Sequence, residues 1–160
     1  MPWRRGGPTL ALMAEERGQA DAIGRLVGAA LRAIITGEDD VLEYLFTDDV
    51  SGQSPNMYVL DRDELAHQLA DRRGALTDVV ITVDEIGGTG PDLVVRWSFS
   101  GTHSGTALLN EDEFFEPTGR QLHLDVVSEL LMRDGRICAF RSRYDDADLA
   151  GQSLGSRPRS

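Results

Sequence analysis

The chain contains no lysine: all 16 of its basic residues are arginine, set against 27 aspartates and glutamates, for a net charge of −11 over 160 residues. Without a lysine amine there is neither Schiff-base chemistry nor a phosphate-loop lysine. The negative charge disfavours nucleic acid and anionic membrane as partners. There is one cysteine, Cys138, which excludes an internal disulfide and a cysteine-based metal site and fits a reducing, cytoplasmic setting. His67, His103 and His123 have no spaced partner ligands, so no metal is expected. The apolar run Leu10 to Met13 is too short for a secretory core, and no segment approaches transmembrane length. What remains is a 41% hydrophobic chain suited to one soluble domain.

Helical periodicity comes first. Ile23, Leu26, Val27, Ala30, Leu31 and Ile34 share a stripe from Glu15 to Ile35, closed by Gly37. A short helix is expected over Val41 to Phe46, and a third from Asp61 to Arg73 with Asp63 and Glu64 early and Arg72 and Arg73 late, as the helix dipole favours. Extended segments are expected at Val50 to Ser54, Met57 to Leu60, Thr77 to Ile86, Pro91 to Thr102, Arg120 to Arg133 and Arg136 to Asp146. Asp134-Gly135 between the last two is a strong hairpin signal. Residues 104 to 119 read as a loop, acidic from Glu111 to Glu116, in which Phe114 and Phe115 could cover a cavity. Helices followed by antiparallel strands predict an α+β fold, with helices on one face of a curved sheet. The expected domain is 14–150, between disordered segments 1–13 and 151–160.

Four motifs stand in order: Gly101-Thr102-His103-Ser104-Gly105, Pro117-Thr118-Gly119-Arg120, Asp134-Gly135-Arg136-Ile137 and Tyr144-Asp145-Asp146 ahead of Gln152. Over residues 18 to 155 this resembles the SnoaL-like polyketide cyclases of the nuclear-transport-factor-2-like superfamily. The resemblance implies a mainly antiparallel sheet wrapped around the N-terminal helices as a cone with an internal cavity. It also implies a homodimer and a cofactor-free intramolecular aldol closure on a hydrophobic, carbonyl-rich metabolite. In that chemistry an aspartate of the last strand removes a proton from a carbon between two carbonyls. Asp145 and Asp146 both match, depending on whether the count runs from Gln152 or from Leu154-Gly155. The same scaffold hosts isomerases, dehydratases, epoxide-opening enzymes and non-catalytic binding or dimerisation modules. Compared with limonene-type epoxide hydrolases, Arg96 falls at the catalytic arginine, but Ser98 and Ser142 fall where that family places its two aspartates. Water cannot be activated there in that family's manner.

A two-residue turn at Asp134-Gly135 pairs Arg133 with Arg136. Glu129 then faces Phe140, Val127 faces Ser142, Asp125 faces Tyr144 and His123 faces Asp146. One sheet face collects His123, Asp125, Glu129, Phe140, Ser142, Tyr144 and Asp146, together with Arg96 and Ser98. The other is apolar from Leu122 to Met132 and carries Val95, Trp97 and Phe99. Two arrangements fit. Either the mixed face is solvated and the apolar face packs on the helices, or the mixed face lines the cavity and the apolar face makes the dimer. The positions of Arg96 and Phe140 in relatives favour the second, and a β-bulge would reverse it. On that reading Asp145 or Asp146 is the base, with Arg96 and His103 as electrostatic or proton-transfer partners. Tyr58, Ser98, Asp125, Glu129, Phe140, Ser142 and Tyr144 contact substrate, and Phe46 and Met57 close the mouth. The bland readings are a structural ion pair for Arg96 with Asp125 or Glu129, and a backbone turn set by the glycines around His103.

Overall fold

The computed structural model describes residues 2–105, 107–110, 113–115 and 119–144, with side chains described from residue 17 onward except in 107–110 and 113–115. Helix α1 runs from Pro2 to Thr36, so it begins well before the Glu15 start that the apolar stripe predicts. Gly37 follows in the left-handed conformation (φ 79°), its amide donating to the Ala33 carbonyl at 2.8 Å. Helix α2 is a single turn, Leu42–Leu45. Helix α3, Arg62–Arg72, starts where the sequence predicts. The Asp61 carboxylate accepts from the Glu64 amide at 2.8 Å, and the Glu64 carboxylate accepts from the Leu60 amide at 3.0 Å. These side chains satisfy amides that a helix start leaves without intrahelical partners. Among the described residues no helix is long and apolar enough to cross a membrane.

Strands β1 (Phe46–Ser54), β2 (Met57–Val59), β3 (Leu76–Thr89) and β4 (Asp92–His103) precede β5 (Ala107–Asn110) and β6 (Glu113–Phe115), and β7 (Gln121–Arg133) and β8 (Arg136–Arg143) follow. Six of them form one sheet in the order β2-β1-β8-β7-β4-β3, which the helices cover on one face. It is mixed rather than wholly antiparallel, because β1 and β8 run parallel. The expected loop at 104–119 instead contains a second, two-stranded sheet of β5 and β6; Glu111, Asp112 and Glu116 lie outside the described residues. Extra residues in β3 near Asp78 (φ 55°) and Asp84 shift its register on β4 twice, and such bulges bend and twist a strand.

The β7–β8 hairpin forms through Asp134 (φ 53°) and Gly135 (φ 77°), the two positive φ angles that a type I′ turn needs. Arg133 pairs with Arg136, and Met132 with Ile137. The register then slips. Leu131 faces Ala139, leaving Cys138 as an extra residue, so Leu130 faces Phe140, Glu129 faces Arg141 and Ser128 faces Ser142. An inserted residue sends every later side chain to the opposite face. The expected pairs Glu129–Phe140, Val127–Ser142 and Asp125–Tyr144 are therefore each off by one.

That slip settles the faces. Leu93, Val95, Trp97 and Phe99 of β4 and Leu122, Leu124, Val126 and Leu130 of β7 are buried. They form one core with Val27, Ala30 and Leu31 of α1 and Leu65 and Leu69 of α3. The apolar face packs under the helices and is not available for a dimer, and Phe140 joins it. The Phe140 ring meets that of Phe46 at 5.9 Å and 57°. It also lies across Gly52, its β1 neighbour, where an added Cβ would sit 2.1 Å from the ring. Replacing Gly52 by valine has to displace a buried aromatic ring, and overpacking of this kind costs about 1–3 kcal/mol. The expected result is a lower midpoint in urea with an unchanged m-value, and a midpoint equal to that of the parent chain would refute the close approach.

Candidate functional site

Between the helices and the sheet lies a cavity of about 90 Å³. Its apolar wall comes from Ile34 and Ile35 of α1, Trp97 and Phe99 of β4, Leu122 and Val126 of β7 and Phe140 of β8, with Met57, Ala75 and Leu76 completing it. Five polar side chains also line it: Ser54, Asn56, Arg72, Ser142 and Tyr144. Topology explains their grouping. Because β1 and β8 are parallel neighbours, their C-terminal ends lie at the same end of the sheet. Ser54 closes β1, Asn56 follows in the turn to β2, and Ser142 and Tyr144 stand at the end of β8.

Arg72 reaches this group from the end of α3. Leu65, Leu69 and Arg72 follow the spacing of one helix face, so the arginine continues a buried leucine stripe. Its Nη2 donates to the Asn56 backbone carbonyl at 2.7 Å, while the Ser54 hydroxyl donates to the Asn56 side-chain carbonyl at 3.0 Å. The Arg72 Nε is buried and finds no acceptor among the described residues. Burial pushes the guanidinium below its ordinary pKa, with Tyr144 and Asp71 acting the other way. Its neighbour Arg73 points elsewhere, pairing with Asp39 at 2.5 Å on the surface.

The cavity floor is tied by a short polar chain. The Trp97 indole donates to the Ser128 hydroxyl at 2.9 Å, and Ser128 and Ser142 share a hydrogen bond at 2.7 Å. Ser128 is fully buried, so the indole and Ser142 are held through a hydroxyl that does not itself line the cavity.

Of the residues singled out from sequence, Met57, Phe140, Ser142 and Tyr144 line this cavity. Phe46 is buried behind Phe140 without lining it. Arg96, Asp125 and Glu129 do not reach it, because their strands turn them to the outer face. The Arg96 side chain is 64% exposed and pairs with Glu85 at 3.6 Å. Asp125 faces His123 at 3.3 Å, and Glu129 pairs with Arg143 at 3.5 Å. The expected partnership of Arg96 with either carboxylate is replaced by a surface pair on β3. Ser98 is buried but opposite Asp125 on the outer side, and Tyr58 is exposed there. His103 is the last residue of β4 rather than a loop residue, is fully buried, and does not line the cavity. Its main chain bridges to Arg120 and Gly119 at 2.8 Å each. Asp145 and Asp146 lie outside the described residues.

In the sequence Arg72 suits the helix dipole, and neither Asn56 nor Ser128 stands out as a site residue. The signal for Arg72 was its seven-residue spacing from Leu65. For Ser128 it was a lone polar residue within the apolar alternation of β7.

Two substitutions check these faces. Arg96→Met removes only an exposed ion pair and is expected to change stability by less than about 1 kcal/mol. Ser128→Ala strands the buried indole donor and is expected to cost about 1–3 kcal/mol. Chemical denaturation of both variants reads the contrast, and the reverse order would mean that the two faces have been exchanged.

A model of the SnoaL-like domain matches residues 27–140. No curated protein matches the chain at a significant level. Among solved structures, TsrD from Streptomyces laurentii superposes with a TM-score of 0.67 at 19% identity, over 86% of this chain and 97% of that one. A protein described as a SnoaL-like polyketide cyclase, from Jannaschia sp. CCS1, gives 0.66 at 18% identity, over 85% and 94%. An LEH-like epoxide hydrolase from M. tuberculosis gives 0.61 at 18% identity, over 84% and 90%. These likenesses show the fold. With more than two thirds of its length matched by the family model, and with the helix-covered sheet and the cavity beneath the helices described above, the chain belongs to the SnoaL-like domain family.

Proposed function

We propose that the protein is a small enzyme of polyketide-cyclase type, closing a ring in a hydrophobic, carbonyl-rich metabolite by acid/base catalysis. The observation that carries this reading is an apolar cavity whose polar side chains gather at the end of β8, with Tyr144 the next residue after the strand. Sequence continues from there into Asp145-Asp146, and consecutive Cα atoms are about 3.8 Å apart. One of these carboxylates would remove the proton from a carbon between two carbonyls. The enolate then attacks a carbonyl farther along the substrate, forming the C–C bond, and the new alkoxide takes up a proton. Apolar surroundings raise a carboxylate pKa toward neutrality, which suits a general base. Ser142, fixed by Ser128, and Tyr144 supply hydroxyls at the same end.

The cavity volume favours one variant of this reading. About 90 Å³ is below the roughly 300–1,000 Å³ of most ligand sites. It fits a compact ketone better than an extended polyketide chain, and the same groups acting on such a ketone would perform isomerisation or dehydration. Contact between copies, for the homodimer expected from sequence, would fall on the outer sheet face, where Val94 and Leu131 are exposed.

Single replacements Asp145→Asn and Asp146→Asn test the base. One of them is expected to lower kcat/KM by about 10²–10⁴-fold on a 1,3-dicarbonyl substrate, with unchanged melting temperature. If both variants keep full activity, neither aspartate is the base. A chain that binds hydrophobic ketones and turns none over is a binding module.

A further inference from the structure

We propose that Arg72 is the specificity element of the cavity, receiving a planar oxyanion on an otherwise apolar ligand, either a carboxylate or the enolate of a 1,3-dicarbonyl. The proposal rests on the cavity being a small-molecule site and does not depend on which aspartate is the base.

Four observations converge on it. Arg72 is the only cationic side chain among the described lining residues. Six other arginines have carboxylate partners: Arg32 with Glu38, Arg62 with Asp48, Arg73 with Asp39, Arg96 with Glu85, Arg133 with Asp49 and Arg143 with Glu129. Among the described residues no carboxylate stands within ion-pair distance of Arg72. Its only hydrogen bond there, from Nη2 to Asn56, fixes one arm of the fork, and the buried Nε remains without an acceptor.

A guanidinium carries five donors in a rigid plane. Half-burying it without a counter-ion is unfavourable, and an anion would complete the site. The matching shape is a flat, delocalised anion with two oxygens, which carboxylates and 1,3-dicarbonyl enolates share. The surrounding Trp97, Phe99, Leu122 and Phe140 favour an apolar remainder of the ligand, and apolar walls of this kind strengthen a charge–charge contact made beside them. A substrate carrying such an anion before reaction binds through Arg72 in its ground state. A substrate that becomes an enolate during reaction meets the same donors only in the transition state, where their interaction lowers the barrier.

Ligand pairs of matched shape test this by calorimetry on the full chain at pH 7: benzoate against benzamide, and cyclohexane-1,3-dione, ionised at that pH, against cyclohexanone. Each anion is expected to bind at least about tenfold more tightly than its neutral counterpart. In Arg72→Met that preference is lost while the neutral ligands bind as before, and Arg72→Lys restores part of it. Preference for benzoate alone identifies a carboxylate on the substrate, and preference for the dione alone identifies an enolate. Equal binding of charged and neutral ligands by the parent chain overturns the proposal, as does no binding of either anion at millimolar concentration. An anion preference that survives in Arg72→Met overturns it too. The measurement involves no turnover. A chain that loses activity in the aspartate variants but shows no anion preference therefore retains the catalytic reading and discards this one.

Discussion

The site depends on one extra residue in β8. Between Ile137 and Ala139 the strand carries Cys138 without a partner on β7, and every side chain beyond it moves to the opposite face. Phe140, Ser142 and Tyr144 thereby join the apolar face beneath the helices. Without the bulge, the same strand would place them on the outer face with Glu129 and Asp125, and the cavity would lose an aromatic wall and two of its polar groups. Gly52 is the complementary condition. Its missing side chain gives the Phe140 ring room to cross β1 and reach Phe46.

A second constraint is the parallel pairing of β1 and β8 inside an otherwise antiparallel sheet. Antiparallel neighbours would put the ends of the two strands at opposite edges. Parallel ones bring Ser54, Asn56, Ser142 and Tyr144 to a common pole, and α3 ends where Arg72 can reach it. Surface arginines in this acidic chain are readily balanced, as the pairs on Asp39, Asp48 and Asp49 show. Arg133 holds the Asp49 carboxyl below its ordinary pKa through the hydrogen bond between them. Arg72 has no carboxylate partner within the described residues, and on the reading proposed above an incoming anion supplies the balance.

Local chemistry was legible in the sequence. The Asp61 cap, the Gly37 terminus, the positive-φ pair at Asp134-Gly135 and the alternation of β4 and β7 each arise from interactions spanning a few residues, and each appears where it was expected. The face assignment was not legible. A bulge is decided by long-range pairing, here with both β1 and β7 at once, and Cys138 carries no compositional mark of it. The error therefore reached Arg96, Asp125 and Glu129: their shared face was correctly grouped, but it was taken for the cavity wall from the positions of Arg96 and Phe140 in relatives, and the bulge takes Phe140 away from it. The strands β5 and β6 were missed because turn-forming and acidic residues dominate their surroundings. Arg72 was readable in principle from the leucine stripe of α3, but its charge suited the end of the helix dipole equally well.

Trp97 has a consequence of another kind. Its indole is buried against the cavity, with its N–H fixed on Ser128, and the chain's other tryptophan, Trp3, stands far from it in sequence. Indole emission responds to the polarity and rigidity of its surroundings. A chain carrying phenylalanine at position 3 would hold a single indole, sited on the cavity wall. The protein contains its own optical gauge of cavity occupancy, usable with any ligand.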